Sequence, residues 1–446
     1  MIGGRFALKK FLLHTPRKFA CDKHLKLHFL GGAREVGRSC VFLQASRLNL
    51  LLDCGVKFNS ETKFPLAPPE NPHAIVATHA HLDHTGFLPR IVSDRHLPWL
   101  CTPPTRALVE LLLEDSLRVF QARHVKPYYS EAEARRTASR ATCIGFEEEY
   151  EFFEGTRIKF YDAGHILGSA QALISPKGEG GKTVLYTGDI KLSETQLHKG
   201  AQAPKETVGA LVMESTYSGK EHENRLDLEK RFCEDVQQAL DKKQPVLIPC
   251  FAIDRPQEVA EVMQKNGING EVYIDGLGQK VYDAMLEYPE FLKDLQGIKK
   301  SLKQSHFATE KTRKKLGTSP CVIISTAGML DGGPALSYLR RMNTLGRGKV
   351  FLTGFQVKGS NGRMLVDEGA LKFNGAKTAV KLEVRQYDFS GHAGDAELVD
   401  YAKRLSPEKV FCMHGEEAGC VSLAQRLRDD HGLDAVAPKL GESFEI

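Results

Sequence analysis

Residues 78–86 read Thr78-His79-Ala80-His81-Leu82-Asp83-His84-Thr85-Gly86, three imidazoles and one carboxylate packed directly behind the apolar run Ile75-Val76-Ala77. On an extended segment, residues two apart point the same way, so His79 and His81 can share one metal ion. Asp83 and His84 follow a turn later, as the chain enters a helix, and can aim at a second ion. Nitrogen and carboxylate donors without thiolate suit zinc, with manganese or iron less favoured by ligand type. With 16 histidines in 446 residues, three at fixed positions arise by chance only about 0.02 times. A metal site therefore outweighs the reading of these residues as surface or satisfied core histidines.

Working outward, other ligand-type residues occupy the same kind of position. Asp53 follows Leu50-Leu51-Leu52, His165 follows Phe160-Tyr161-Asp162, and Asp189 comes soon after Val184-Leu185-Tyr186. Later in the chain, Glu214 follows Val212-Met213, His392 follows Tyr387-Asp388-Phe389, and His414 follows Val410-Phe411-Cys412. Short β-branched runs predict strands at 48–52, 74–77, 158–161, 183–186, 210–213, 246–248, 272–274, 322–324, 350–352, 382–384 and 410–412. Apolar 3–4 spacing predicts helices near 105–120, 226–240, 256–265, 396–405 and 418–431. The chain is α/β, and its polar residues cluster just past the carboxyl ends of strands, where open α/β sheets place their ligand sites.

At 446 residues and 41% apolar content, the chain exceeds one ordinary core and predicts two domains. The ten cysteines include no C-x-x-C pair, which argues against a thiolate zinc site or a redox motif. The apolar stretch Phe11-Leu12-Leu13, followed by Pro16, Arg17 and Lys18, is too short for a signal peptide, and no run is long enough to span a bilayer. A cytoplasmic protein with reduced cysteines and no membrane partner is expected. The net charge of +5 is only weakly basic. Lys9-Lys10 with Arg17-Lys18, Arg135-Arg136 with Arg140, Lys311 with Arg313-Lys314-Lys315, and Arg340-Arg341 with Arg347 and Lys349 read as solvated surface or as phosphate contacts.

His79-Ala80-His81-Leu82-Asp83-His84 resembles the H-x-H-x-D-H signature of the metallo-β-lactamase superfamily, with Asp53, His165 and Asp189 at the positions of its other motifs. That resemblance implies an αββα sandwich with metals at one edge. Carried over, His79, His81 and His165 would hold one zinc, Asp83 and His84 the other, Asp189 would bridge them, and Asp53 would fix a histidine ring. The chain continues far past Asp189, and the continuation is similar to the α/β β-CASP domain inserted in nucleic-acid-processing members. Glu214-Ser215-Thr216-Tyr217 with His222 and Arg225, Pro249-Cys250-Phe251-Ala252 with Arg255, Gln257 and Glu258, Ser390-Gly391-His392-Ala393 and Met413-His414-Gly415-Glu416 carry the likeness. The implied organisation is 1–214 for the first part of the sandwich, 215–380 for the insertion and 381–446 for the sandwich's second part.

In that family a histidine at the position of His414 completes the second metal's ligands and marks RNA-cutting members. Thr326-Ala327-Gly328-Met329-Leu330, Gly332-Gly333-Pro334 and Thr353-Gly354-Phe355-Gln356 resemble the archaeal relatives of ribonuclease J and of the endonuclease subunit of cleavage and polyadenylation specificity factor. No KH domain precedes the motifs, so RNA contact is expected from the catalytic body and its basic patches.

The resemblance implies two zinc ions per chain, with manganese possible, acting on single-stranded RNA. The expected catalytic residues are His392, Glu214, Asp83 and Asp189, with His392 as proton donor held by Glu214. Two metals would activate water and neutralise phosphoryl charge, and a rim histidine suits protonation of the departing oxygen. Ser325, Thr326 and Gly328, with Arg255, form the expected substrate-binding set. Their small residues let backbone N–H groups approach a terminal phosphate, which favours a 5′-3′ exoribonuclease. The alternatives are an endoribonuclease of RNA 3′-end processing or transcription termination, a small-molecule metallohydrolase, and an inactive RNA-binding scaffold. The apolar-alternating end at 441–446 is expected to join a homodimer or to form an edge strand of its own domain.

Overall fold

The strand Leu48–Leu52 is buried at every position, which requires cover on both faces of its sheet. In the computed structural model, which describes residues 25–45, 48–58, 61–178, 181–354, 356–357, 359–373 and 375–446, that cover is a second sheet on one face and helices on the other. Lys9-Lys10, Phe11-Leu12-Leu13, Pro16-Arg17-Lys18 and Phe355 lie outside the described residues.

The first seven-stranded sheet runs in the order Ser443–Glu445, Lys26–Gly31, Cys40–Ala45, Leu48–Leu52, Ala74–Val76, Trp99–Cys101 and Ala141–Cys143. The second, also seven-stranded, runs Ala435–Val436, Lys409–Met413, Ala210–Glu214, Val184–Tyr186, Ala170–Ser175, Arg157–Asp162 and Glu149–Glu151. Leu50, Leu52 and Val76 meet Phe160, Val212 and Phe411 between the sheets. Because successive strand residues face opposite ways, Leu51 packs outward with Trp99, Leu108 and Leu112. Leu185, Leu211 and Val410 pack outward from the other sheet against Leu398, Tyr401, Leu423 and Leu427 of the helices Asp395–Leu405 and Glu417–Asp429. The result is an αββα sandwich.

Between the sandwich's two sequence portions lies a six-stranded sheet, Ser305–Phe307, Val272–Asp275, Val322–Ser325, Val246–Pro249, Lys349–Leu352 and Glu383–Gln386, parallel throughout. Ile248 and Ile324 face one helical layer, while Leu247, Ile323 and Val350 face the other with Leu339 and Met342. Glu383–Gln386 pairs with Lys349–Leu352 in this sheet, so the chain returns to the sandwich after Gln386, later than the expected boundary at 380/381. On returning, Lys409–Met413 lies parallel beside Ala210–Glu214, and Ser443–Glu445 pairs antiparallel with Lys26–Gly31. The tail is thus an edge strand of its own domain, with Phe444 packed 5.3 Å from Phe411 and 5.9 Å from Phe29, ring centre to ring centre. Among the described residues no helix is long and apolar enough to cross a membrane.

Candidate metal centre

Every residue of the proposed ligand set sits just past a strand of the sandwich, in the turn leading into the helix Leu82–Thr85, or in that short helix itself. Asp53 anchors them. It follows Leu48–Leu52 in the left-handed region at φ +57°, its Oδ1 accepting the Thr78 backbone N–H at 2.8 Å and its Oδ2 the Thr78 hydroxyl at 2.9 Å. The same Oδ2 accepts His84 Nδ1–H at 2.7 Å, which turns His84 Nε2 toward the centre. Since the Thr78 hydroxyl donates to Asp53, it accepts from His79 Nδ1–H at 3.1 Å, and His79 Nε2 also faces the centre with its lone pair. His165 Nδ1–H donates to the Gly391 carbonyl at 2.6 Å, aiming its Nε2 inward from 226 residues away in sequence.

Those nitrogens converge. His81 Nδ1 lies 3.2 Å from both His79 Nε2 and His165 Nε2. Asp189 Oδ2 lies 3.6 Å from His79, 3.7 Å from His165 and 3.4 Å from His84. On the far side, His414 Nε2 lies 3.4 Å from Asp83 Oδ2, and His414 Nδ1 lies 2.9 Å from Asp189 Oδ1. The donor atoms gather as His79, His81, His165 and Asp189, and as Asp83, His84 and His414, with Asp189, Glu214 and His414 also within reach of one another. Asp189 stands between them.

This arrangement fits metal ions. Burial pushes His79, His81 and His165 below the ordinary histidine value, so they present neutral lone pairs, the form that ligates. His79 and His165 have already committed their N–H groups elsewhere, and only a cation satisfies their inward lone pairs together with a carboxylate. His414 Nε2 and Asp189 Oδ1 are buried without a hydrogen-bond partner, a costly state that coordination removes. Against the effect of burial, Asp189, then Asp53 and Asp83, hold His84 up, and Asp189 and Asp83 raise His414 to about 10. This is the field of a carboxylate-rich centre that attracts positive charge.

His392 stands at the centre's open side, its side chain 21% exposed above a fully buried Glu214. Its Nδ1–H donates to the two Glu214 oxygens at 2.9 and 3.0 Å, and Glu214 also accepts the Ile190 amide at 2.8 Å, next to Asp189. Burial opposes a charge on His392, but Glu214 and then Asp189 outweigh it and raise its pKa. His222 bridges the His392 carbonyl, 3.0 Å from its Nε2, and Asp388 Oδ2, 3.1 Å from its Nδ1, while the Tyr217 hydroxyl donates to Asp388 Oδ1 at 3.0 Å.

The expected substrate loop is placed differently along its length. Ser325 ends its strand fully buried, its hydroxyl turned to the Thr326 carbonyl at 3.3 Å. Strand alternation points its side chain into the fold, so any contact that Ser325 offers a substrate is through its backbone, and the accessible loop begins at Thr326. Gly328 is buried against the backbone of Cys250 and Phe251. Arg255 donates to Glu258, which also receives Arg225 at 2.5 Å, so its guanidinium is partnered within the protein. Sequence reading missed Thr78, the Gly391 carbonyl and Asp388. A threonine next to a histidine motif carries no signal of its own, and a backbone carbonyl carries none at all.

The chain matches the description of the metallo-β-lactamase superfamily over residues 33–230, the Beta-Casp domain over 258–365 and the Zn-dependent metallo-hydrolase RNA specificity domain over 377–438. It is 33% identical over 432 residues to a protein named probable RNase MJ4 from Methanocaldococcus jannaschii, covering 95% of this chain and 100% of that one. It is 34% identical over 455 residues to RNase aCSPSF2 from Saccharolobus solfataricus, covering 99% and 90%. A crystal structure of a protein of unknown function from Enterococcus faecalis shares the fold at 13% identity, with a TM-score of 0.57 over 95% of this chain and all of that one. Likeness along almost the full length, a sandwich interrupted by a parallel sheet, and ligand residues gathered at the sandwich edge together make this chain a member of the β-CASP family of the metallo-β-lactamase superfamily.

Proposed function

We propose that this protein is a metal-dependent ribonuclease that hydrolyses single-stranded RNA, working chiefly from the 5′ end. The observation that carries the nuclease reading is the pairing of two ligand groups about Asp189 with the His392–Glu214 couple on their open side. The names of the relatives and the RNA specificity match support RNA as the substrate.

Zinc is the ion proposed for both groups, with manganese as substitute; bound there, such ions supply a water of lowered pKa and charge neutralisation at the phosphoryl oxygens. The chain's own residues do the rest. Asp53, through His84 and Thr78, and Gly391, through His165, hold the rings so that the correct nitrogen faces inward. His392 has committed Nδ1–H to Glu214, which leaves Nε2 to carry a proton to the departing oxygen. Glu214 beneath the ring stabilises the imidazolium.

Supporting the 5′-end reading, Arg123 at the end of the helix Pro103–Ala122 reaches from the sandwich to the Asp331 carbonyl of the inserted domain at 2.6 Å. This contact bridges the two domains beside the loop that starts at Thr326, and its cation suits a terminal phosphate. RNAs labelled internally or at the 5′ end, with monophosphate, triphosphate or hairpin-blocked termini, test the proposal. Labelled mononucleotide should appear first from the 5′-monophosphate, and Arg123→Ala should weaken that preference while leaving the metals in place. Early internal fragments indifferent to the 5′ group would identify an endonuclease instead. A homodimer joined through the free edge of Ser443–Glu445 is proposed alongside; a solution mass of one chain by light scattering would remove it.

A further inference from the structure

Three described phenylalanines expose more than a third of their surface: Phe58, Phe153 and Phe251. Phe58 leans toward Phe120, 6.3 Å between ring centres, and Phe153 stacks on His73 at 5.1 Å. Phe251 has no ring partner among the described residues; it is 38% exposed and lies two residues past the buried strand Val246–Pro249.

The chain on either side of Phe251 is anchored, while its ring is left open. Before it, the Cys250 N–H donates to the Ser325 carbonyl at 2.9 Å. After it, Asp254 Oδ2 accepts the Leu167 N–H and His198 Nε2–H, each at 2.7 Å, which ties the segment to the sandwich two residues beyond the ligand His165. Glycines stand where side chains would intrude. A Cβ at Gly328 would come within 2.9 Å of the Phe251 nitrogen, and one at Gly354 within 3.4 Å of its ring. The ring thus lies at the carboxyl ends of three adjacent parallel strands, where α/β sheets bind ligands, on the side of the insertion attached to the metal centre.

An exposed aromatic ring on an anchored segment beside a phosphodiester-cleaving centre matches the flat face of an unpaired base. Such stacking strengthens single-strand binding without demanding a sequence. A base within a duplex has both faces covered by its neighbours and cannot use the ring. We infer that Phe251 is the platform on which a base of bound single-stranded RNA stacks, and that it thereby selects an unpaired nucleotide at the cleft. This inference rests on the ribonuclease reading of the metal centre.

Two measurements on the full-length, metal-loaded protein test it. Trp99 is the only tryptophan in the chain and is buried, so Phe251→Trp introduces a single exposed reporter. A phosphorothioate RNA that resists cleavage should quench this tryptophan, whereas an abasic ribose-phosphate strand of equal length should not. Anisotropy of labelled RNA measures binding independently. Binding without quenching overturns the inference alone; no binding at any concentration overturns the ribonuclease reading and this inference with it. In the second measurement, Phe251→Ala should raise KM on single-stranded RNA about 10-fold, within the range that one stacked base supplies. Metal content should stay the same, kcat should stay near that of the parent, and Phe251→Tyr should restore KM. An unchanged KM in Phe251→Ala overturns the assignment.

Discussion

In the sandwich, Asp53, His79, His84, Asp189 and His414 are at most 3% exposed, and protein groups fix the orientation of the His79, His84 and His165 rings. In the inserted sheet the corresponding strand ends carry Phe251, exposed, with Gly328 against its backbone and Gly354 against the edge of its ring. The first region spends its hydrogen bonds on orienting donor atoms whose lone pairs converge. The second keeps a surface clear. Donor atoms that converge on one point require placement within a fraction of an ångström, and these residues are buried and bonded from several sides. Substrate that arrives as a variable polymer requires an open, sequence-tolerant surface.

The sharpest attempt to break this contrast is Asp189→Asn. Asp189 is near ring nitrogens of both ligand groups, so the variant should lose activity to the level of a chelator-treated control and part of its metal by elemental analysis. Full metal occupancy in Asp189→Asn would show that Asp189 does not join the two groups. Next comes His392→Ala, which should retain its metal and slow cleavage about 10²–10⁴-fold if its proton donation is what is lost. Metal lost in step with activity would instead make His392 a ligand.

Asp53→Asn touches no inward-facing donor atom directly, yet it leaves one acceptor oxygen where two are used, so His84 and Thr78 can no longer both be held. We expect a loss of about 10- to 100-fold in metal affinity, read by competition with a fluorescent chelator; unaltered affinity would mean that packing alone orients His84.

The smallest effect concerns the junction between the regions, where His198 of the sandwich donates to Asp254 of the insertion. Burial works against a charge on His198, but the hydrogen bond and the carboxylate of Asp254 outweigh it and raise the pKa. A folded pKa above the unfolded value near 6.5 means that this contribution is complete below that value and disappears as pH rises through the folded pKa. His198→Gln should therefore cost stability near about pH 6, by about 1.5–3 kcal/mol as for a hydrogen bond to a charged group, and progressively less in alkali. Thermal denaturation of both proteins across pH reads this directly, and a gap independent of pH would assign the contact to packing.

Much of the candidate centre's donor cluster was legible because its residues follow local rules. Two-residue spacing in an extended segment aligns His79 with His81, and apolar runs announce the strand ends that carry Asp53, His165, Asp189 and His414. The strands Lys26–Gly31, Cys40–Ala45 and Ala170–Ser175 were not anticipated. Lys26–Gly31 alternates with a histidine and a lysine, and Ala170–Ser175 is built largely from small residues, so neither stands out as a β-branched run. Helices such as Gly278–Glu287 and Gly333–Leu345 begin on glycine, which weakens any local helix signal.

Sequence alone determined the donor types, their order along the chain and the α/β character that gathers them at strand ends. Tertiary structure decided the rest, through contacts between residues too distant for any pattern to register. It chose which nitrogen of His165 faces the candidate centre through a carbonyl at Gly391, and it turned the Ser325 side chain into the fold. It paired the C-terminal tail with Lys26–Gly31. It also took Asp254, which precedes the helix Arg255–Lys265 and would cap it by local rules, and directed its carboxylate to Leu167 and His198 instead. Spacing is encoded in neighbouring residues, but a hydrogen bond across two domains exists only once both have folded and met.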